Sequence, residues 1–290
     1  MSKYTLMDLP APAKINLFLH VVGRRSDGYH LLETVFTFLD WSDRIDLDLR
    51  PAGVFEHHNP LPGVPPEQDL CIRAARLLAG RSGVQQGMAI RLRKVLPMGG
   101  GLGGGSSDAA TVLLGLNRLW GLGWSRRTLA DVGLALGADV PVFVHGDSAF
   151  ATGVGEKLTP LAVPPAWYVV VVPPVAVPTG PIFAAQELTR DTPRVKIADF
   201  STGFGHNDLE PVVCGRYPEV GAMLRLMRQR ADVHRQMHAG QIDVRMTGSG
   251  CCLFAAFPDQ RAASEYQAAL PPEWTSLVAS GLQDHPLKNW

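Results

Sequence analysis

The sequence has 290 residues, 46% of them hydrophobic, and its 27 Lys and Arg offset 27 Asp and Glu to leave no formal net charge. A chain of this length can bury a large core and is expected to hold two domains. Its neutrality excludes the electrostatic footprint of a nucleic-acid or acidic-membrane binder and leaves a small molecule as the expected partner.

No basic-then-apolar leader opens the chain and no apolar run is long enough to cross a bilayer. Cys71, Cys214, Cys251 and Cys252 form no C-x-x-C and no metal-ligand spacing, so they read as reduced thiols. A cytoplasmic monomer or homodimer is expected.

The first strand spans residues 13–21. Alternation puts Ile15, Leu17, Leu19 and Val21 on one face and Lys14 and Asn16, with Phe18, on the other. A strand lysine ordinarily belongs to a solvated edge, but the company of Phe18 argues against a wet face here. A polar loop, Gly23 to His30, ends in Tyr29 and His30. These two read either as a strand start or as a ring face with a hydrogen-bonding edge, suited to a nucleobase.

Strands are expected at 33–39 and 44–50, the second alternating Ile45, Leu47 and Leu49 with charged residues, as in an antiparallel sheet wet on one face. His57 and His58 have no third ligand nearby and read as loop. A proline-rich loop at 59–66 leads to a helix capped by Asp69 and stopped at Gly80. A strand over 88–94 then delivers the chain to Pro97-Met98-Gly99-Gly100-Gly101-Leu102-Gly103-Gly104-Gly105-Ser106-Ser107.

Six glycines in seven positions cannot be a core element, because glycine loses the most backbone entropy on ordering and supplies no packing. They run straight into a helix with apolar residues at helical spacing, expected to be capped by serine. Backbone N–H groups bared by missing side chains, followed by the positive end of a helix, make a cradle for a phosphate chain. No G-x-x-x-x-G-K-[ST] is present, so this is not the lysine-bearing P-loop.

A helix capped by Ser125 is expected to run through Leu136 and end at Gly137 in an αL turn, with Pro141 holding Val140 extended. Asp139 would sit in that corner, and by itself reads as a turn residue. Beyond residue 160 the order strand (167–172), helix (218–230), strands (242–246 and 251–257), helix (259–270) and strand (275–279) is a ferredoxin-like succession.

Four segments together resemble the GHMP kinases. They are Pro12-Ala13-Lys14-Ile15-Asn16-Leu17 with Asp27-Gly28-Tyr29-His30, the glycine loop, Gly137-Ala138-Asp139-Val140-Pro141, and Pro178-Thr179-Gly180-Pro181-Ile182-Phe183. The resemblance implies an α+β fold of two domains: a ribosomal-protein-S5-domain-2-like GHMP kinase domain over 1–160 and a ferredoxin-like GHMP domain over 161–290, with the active site between them. It implies ATP and Mg2+, and transfer of a phosphoryl group to a hydroxyl of a diphosphocytidyl sugar alcohol in isoprenoid precursor synthesis.

By the same resemblance Asp139 is the catalytic base and Lys14 its ionic partner. Lys94, Pro97, Met98, Gly99, Gly100, Gly101, Leu102, Gly103, Gly104, Gly105, Ser106 and Ser107 hold the nucleotide, with Ser107 also a candidate metal ligand. Asn16, Tyr29, His30, Thr179 and Phe183 hold the substrate beside Asp139, and the turn Thr247-Gly248-Ser249-Gly250 faces the cleft. Asp108 departs from the neutral residue commoner there, and either faces away from the phosphates or helps hold metal.

Two readings from other classes stand beside this one, together with another small-molecule kinase of the same family. A dinucleotide-binding oxidoreductase fits Gly99, Gly101 and Gly104 with Asp131 for the ribose, but the flanking strands alternate as antiparallel ones do. An RNA-binding module would need a basic stripe.

Overall fold

A computed structural model describes residues 5–197, 200–201, 203–237 and 242–290. Two long strands, β1 (Thr5–Arg24) and β2 (His30–Arg50), pair antiparallel along almost their whole length. The two strands expected at 33–39 and 44–50 are therefore one. Asp43 and Ser42 lie opposite Ala11 and Pro12 in the ladder, so partner pairing carries the chain through the polar stretch that looked like a break.

The order continues with β3 (Phe55–His57), α1 (Leu70–Ser82), β4 (Gly87–Arg93), α2 (Gly104–Leu119), α3 (Arg126–Leu134), α4 (Val140–His145), β5 (Ala149–Thr152) and β6 (Lys157–Pro160). Then come β7 (Trp167–Val172), α5 (Thr179–Phe183), α6 (Glu210–Arg216), α7 (Pro218–Met237), β8 (Val244–Met246), β9 (Leu253–Phe257), α8 (Gln260–Ala268) and β10 (Thr275–Leu282). The strands join into a ten-stranded mixed sheet with the path β3-β4-β2-β10-β7-β9-β8. Among the described residues only β3 and β4 pair parallel along it; β10 crosses to β2 through Gly281 opposite Leu39.

Helices α1 to α4 cover one end of the sheet, where Ile45 and Leu47 of β2 meet Ile72, Leu78, Val112, Leu113 and Phe143. Helices α6 to α8 cover the other, where Val169, Val171 and Leu253 meet Val213, Leu224 and Tyr266. A third apolar cluster joins the two ends, with Ile15 and Leu102 packed against Val170 and Phe254.

Several expected ends move. Helix α1 passes through Gly80 and stops at Gly83, whose φ of 73° gives the αL turn; Asp69 caps its start as expected, accepting from the N–H groups of Cys71 and Ile72. Helix α2 begins inside the glycine run, with Gly103 (φ 70°) as N-cap and no side-chain cap. The serine cap is thus corrected: glycine can enter the helical region too, and Ser106 and Ser107 fall inside the first turn.

The corner at Asp139 is also different. Gly137 is not left-handed and Val140 is not extended; Asp139 (φ −85°, ψ −14°) caps the short helix α4, with Pro141 in its first turn. Proline is tolerated there because its missing N–H would have had no helical partner.

Candidate active site

A cleft of about 970 Å3 opens where the two helical ends of the sheet meet. The strands, the glycine loop and the head of α4 each deliver one part of it.

Lys14 and Asn16 stand on β1 and are both buried, as is Phe18 beside them, so the supposedly wet face of this strand is covered. The Lys14 ammonium donates to Asn16 Oδ1 at 2.7 Å and lies 3.2 Å from Asp139 Oδ2. It also sits over the Phe36 ring, 5.2 Å from its centre. Asn16 is fixed in turn, its side-chain amide donating to Thr34 Oγ1 at 2.8 Å and its backbone N–H to Thr247 Oγ1 at 2.9 Å. The carboxylate of Asp139 is 35% exposed, which leaves it open to a ligand in the cleft.

The glycine loop is packed as much against protein as toward the cleft. A Cβ on Gly101 would lie 2.3 Å from the Thr247 carbonyl oxygen, one on Gly100 2.6 Å from Cys252 Sγ, and one on Gly103 2.9 Å from the Phe143 ring. The Cys252 N–H donates to the Gly100 carbonyl at 3.0 Å, so the turn at 247–250 docks directly on the loop. Gly99 to Ser106 line the cleft, and the first turn of α2 turns N–H groups without helical partners toward it.

Lys94 is clamped between Asp43 and Asp108, 2.8 Å from Asp108 Oδ2. Asp43 also accepts from the N–H groups of Val95 and Leu96, at 2.6 and 2.9 Å, and so anchors the approach to the loop. Burial, with the charge of Asp43 added, pushes the Asp108 carboxyl up to about 7 although Lys94 pulls the other way. Burial works against the Lys94 charge, yet the two carboxylates raise its pKa above the ordinary lysine value. Asp108 thus faces Lys94 with one oxygen, and its Oδ1 has no partner among the described residues.

Ser107 is fully buried and its hydroxyl is unpartnered; Ser106 lines the cleft and Ser107 does not. The helix starts earlier than the sequence implied, which places Ser107, the candidate metal ligand, on its inward face. Among the described residues no group of three or more His, Cys, Asp and Glu is placed to hold a metal ion.

On the other side of the cleft His30 and Phe183 present their rings to each other, centres 5.2 Å apart and planes tilted by 36°. Tyr29 is 64% exposed at the rim. Thr179 Oγ1 and Ser249 Oγ share a hydrogen bond of 2.6 Å, which ties the start of α5 to the 247–250 turn. Burial, then the charges of Arg190 and Arg24, lowers the His30 pKa.

Sequence reasoning missed Asp43, Thr34, Phe36 and Arg190, none of which lies in a recognisable motif. It also passed over Leu61, Val64 and Leu70, which line the cleft beyond the glycine loop; the proline-rich run before α1 was the one available signal.

Residues 69–147 match the family model for the GHMP kinases N terminal domain. The chain is 58% identical over 278 residues to 4-diphosphocytidyl-2-C-methyl-D-erythritol kinase of Thiobacillus denitrificans, covering 96% of each chain. It is 55% identical over 284 residues to the protein of that name from Nitrosospira multiformis, covering 98% of this chain and 94% of the other. A crystal structure of 4-(cytidine 5'-diphospho)-2C-methyl-D-erythritol kinase superposes with a TM-score of 0.77 at 32% identity, covering 96% of this chain and 98% of that one. The mevalonate kinase of L. major, at 15% identity and a TM-score of 0.64, shares the fold over 98% of this chain and 99% of its own. A glycine loop beside a lysine–aspartate pair is what this site holds, and relatives this similar over nearly the full length make the chain a kinase; it belongs to the GHMP kinases and, within them, to the 4-diphosphocytidyl-2-C-methyl-D-erythritol kinase family.

Proposed function

We propose that the chain moves the γ-phosphoryl group of ATP to the 2-hydroxyl group of 4-diphosphocytidyl-2-C-methyl-D-erythritol, giving the 2-phosphate and ADP in non-mevalonate isoprenoid precursor synthesis. The observation that carries the reading is the Lys14–Asp139 pair, set between the glycine loop and the His30–Phe183 rings. A phosphate donor held on one side and a base held on the other bring a hydroxyl and a phosphoryl group together at that pair.

Phosphoryl transfer asks little covalent chemistry of a protein; positioning and charge stabilisation do most of it. Asp139 accepts the hydroxyl proton. Lys14, fixed by Asn16 and by its backbone bond to Leu102, lies against that carboxylate and faces charge that develops on the transferring group. The loop from Pro97 to Ser106 wraps the phosphates with main-chain donors, while Leu61, Val64 and Leu70 offer an apolar seat for the adenine. Lys94, held between Asp43 and Asp108 and lining the cleft, stands on the nucleotide side of the loop. Tyr29, His30 and Phe183 take the cytosine, with Thr179 and Asn16 toward the rest of the substrate.

Mg2+ would neutralise the β- and γ-oxygens of ATP. Ser107, buried away from the cleft, does not fit as its ligand, so the ion would be held by phosphate oxygens and water. The 1–160 and 161–290 domains, one ribosomal-protein-like and one ferredoxin-like, are part of the same reading. The strand order β10-β7-β9-β8, with α7 and α8 on those strands, supports the second.

The test is ADP release with and without the diphosphocytidyl substrate, with mevalonate, homoserine and galactose as competitors. Release that any of these three matches would defeat the assignment.

A further inference from the structure

Arg190, in the loop after α5, has no place in any motif, yet every nitrogen of its guanidinium is engaged. It donates to the carbonyls of Leu188 at 2.9 Å, Ala185 at 2.5 Å and Phe183 at 3.2 Å, and its Nε donates to His30 Nε2 at 3.1 Å. An arginine always carries its protons and can only donate. The Nε2 of His30 must therefore be an acceptor, which leaves the ring's hydrogen on Nδ1.

The ring itself is buried and lines the cleft against Phe183, and Nδ1 makes no hydrogen bond within the described residues. Arg24, whose Nε donates to the Gly28 carbonyl, is the second cation acting on this ring; burial first, then Arg190 and Arg24, lowers its pKa and so favours the neutral imidazole. What His30 has left to offer a ligand is a donor.

We propose that Arg190 is a positioning residue that sets the pyrimidine selectivity of the site: it holds His30 in the Nδ1–H tautomer, so that the cleft presents a donor to a base with an acceptor at N3, cytosine and not uracil. This rests on the diphosphocytidyl reading above. Uracil carries a hydrogen at N3, so two donors would face each other, each left without its acceptor. Specificity of this kind comes from a penalty on the wrong base rather than from an added contact with the right one. Arg190 also bonds the Phe183 carbonyl, so one side chain fixes both the hydrogen-bonding edge and the ring wall.

The tautomer can be read without substrate, by long-range proton–nitrogen NMR on enzyme labelled in histidine, with the His30 signal assigned by its loss in His30→Gln. The expected result is Nδ1–H in the native protein and a shift toward Nε2–H in Arg190→Met. In the same variant the KM for the cytidine substrate should rise about tenfold, the scale of one lost hydrogen bond, while the KM for ATP and kcat stay near native. Discrimination against the uridine counterpart should fall from roughly a hundredfold to about tenfold. Arg190→Lys keeps a donor for Nε2 and should retain the tautomer and most of the discrimination; it serves if Arg190→Met does not fold. An Nε2–H signal in the native enzyme, or unchanged discrimination in a variant whose tautomer has shifted, overturns the proposal. Failure of the native enzyme to phosphorylate the cytidine compound would defeat the functional reading instead, and leaves the tautomer measurement standing on its own.

Discussion

The ammonium of Lys14 and the carboxylate of Asp139 meet at 3.2 Å, one side chain buried on β1 and the other 35% exposed at the head of a short helix. The asymmetry matters for the chemistry. A buried cation is held in place by its surroundings, whereas a carboxylate that must take up and release a proton needs access to what enters the cleft.

Asp139→Asn keeps the cap geometry and removes the base. ATP affinity should stay near native while turnover falls by about a hundredfold or more, the scale of a lost general base. Single-turnover kinetics beside ATP titration read the two separately. Turnover within a factor of a few of native would reduce Asp139 to a turn residue.

The ring wall should act on one substrate only. Tyr29→Ala and Phe183→Ala each remove an aromatic face, worth about 1–3 kcal/mol for a stacked base, and should raise the KM for the diphosphocytidyl compound. The KM for ATP is the internal control. A parallel rise in both would place the rings elsewhere in the cycle.

Gly101→Ala tests whether the loop is glycine-rich for the ligand alone or for its own docking. Its φ is 79° and the new Cβ would lie 2.3 Å from the Thr247 carbonyl oxygen, whereas Gly121, at φ 64°, has nothing within 4 Å. Both substitutions carry the cost of a left-handed alanine, about 1–3 kcal/mol. Gly101→Ala should lower the melting temperature further than Gly121→Ala, with or without nucleotide. Equal shifts would mean the docking contact is unimportant to stability.

Asp108 gives stability a pH dependence of known sign. Its folded-state pKa is raised from 3.8 to about 7, chiefly by burial, so the folded chain holds a proton that the unfolded chain has released. That contribution is complete below pH 3.8 and is lost as pH rises through about 7. Asp108→Asn lacks the ionisation, so its melting temperature should gain on the native protein between those limits. A difference, Asp108→Asn minus native, that stays flat or falls with rising pH contradicts the burial of an ionising carboxyl.

The local chemistry was legible from the sequence because it depends on short-range rules. The apolar spacing of α2, the Asp69 and Ser125 caps, and the alternation of Ile45 and Leu47 follow from periodicity and capping. A run of glycines implied a backbone close to something, and the four motifs carried the resemblance to the kinases.

What the sequence could not decide is what those glycines approach and which face of a strand is wet. Gly101 meets Thr247 and Gly100 meets Cys252 only once β8 and β9 are laid beside the loop; a lysine on β1 is buried only because Phe36, the glycine loop and Asp139 close around it. The same holds for Asp43 and Arg190. An aspartate near a turn and an arginine in a loop look like solvent-facing residues until groups distant in the chain, the N–H groups of Val95 and Leu96 and the imidazole of His30, close around them. Propensity acts between neighbours in the chain, whereas burial and hydrogen-bond satisfaction act between neighbours in space, and only the folded structure says which those are.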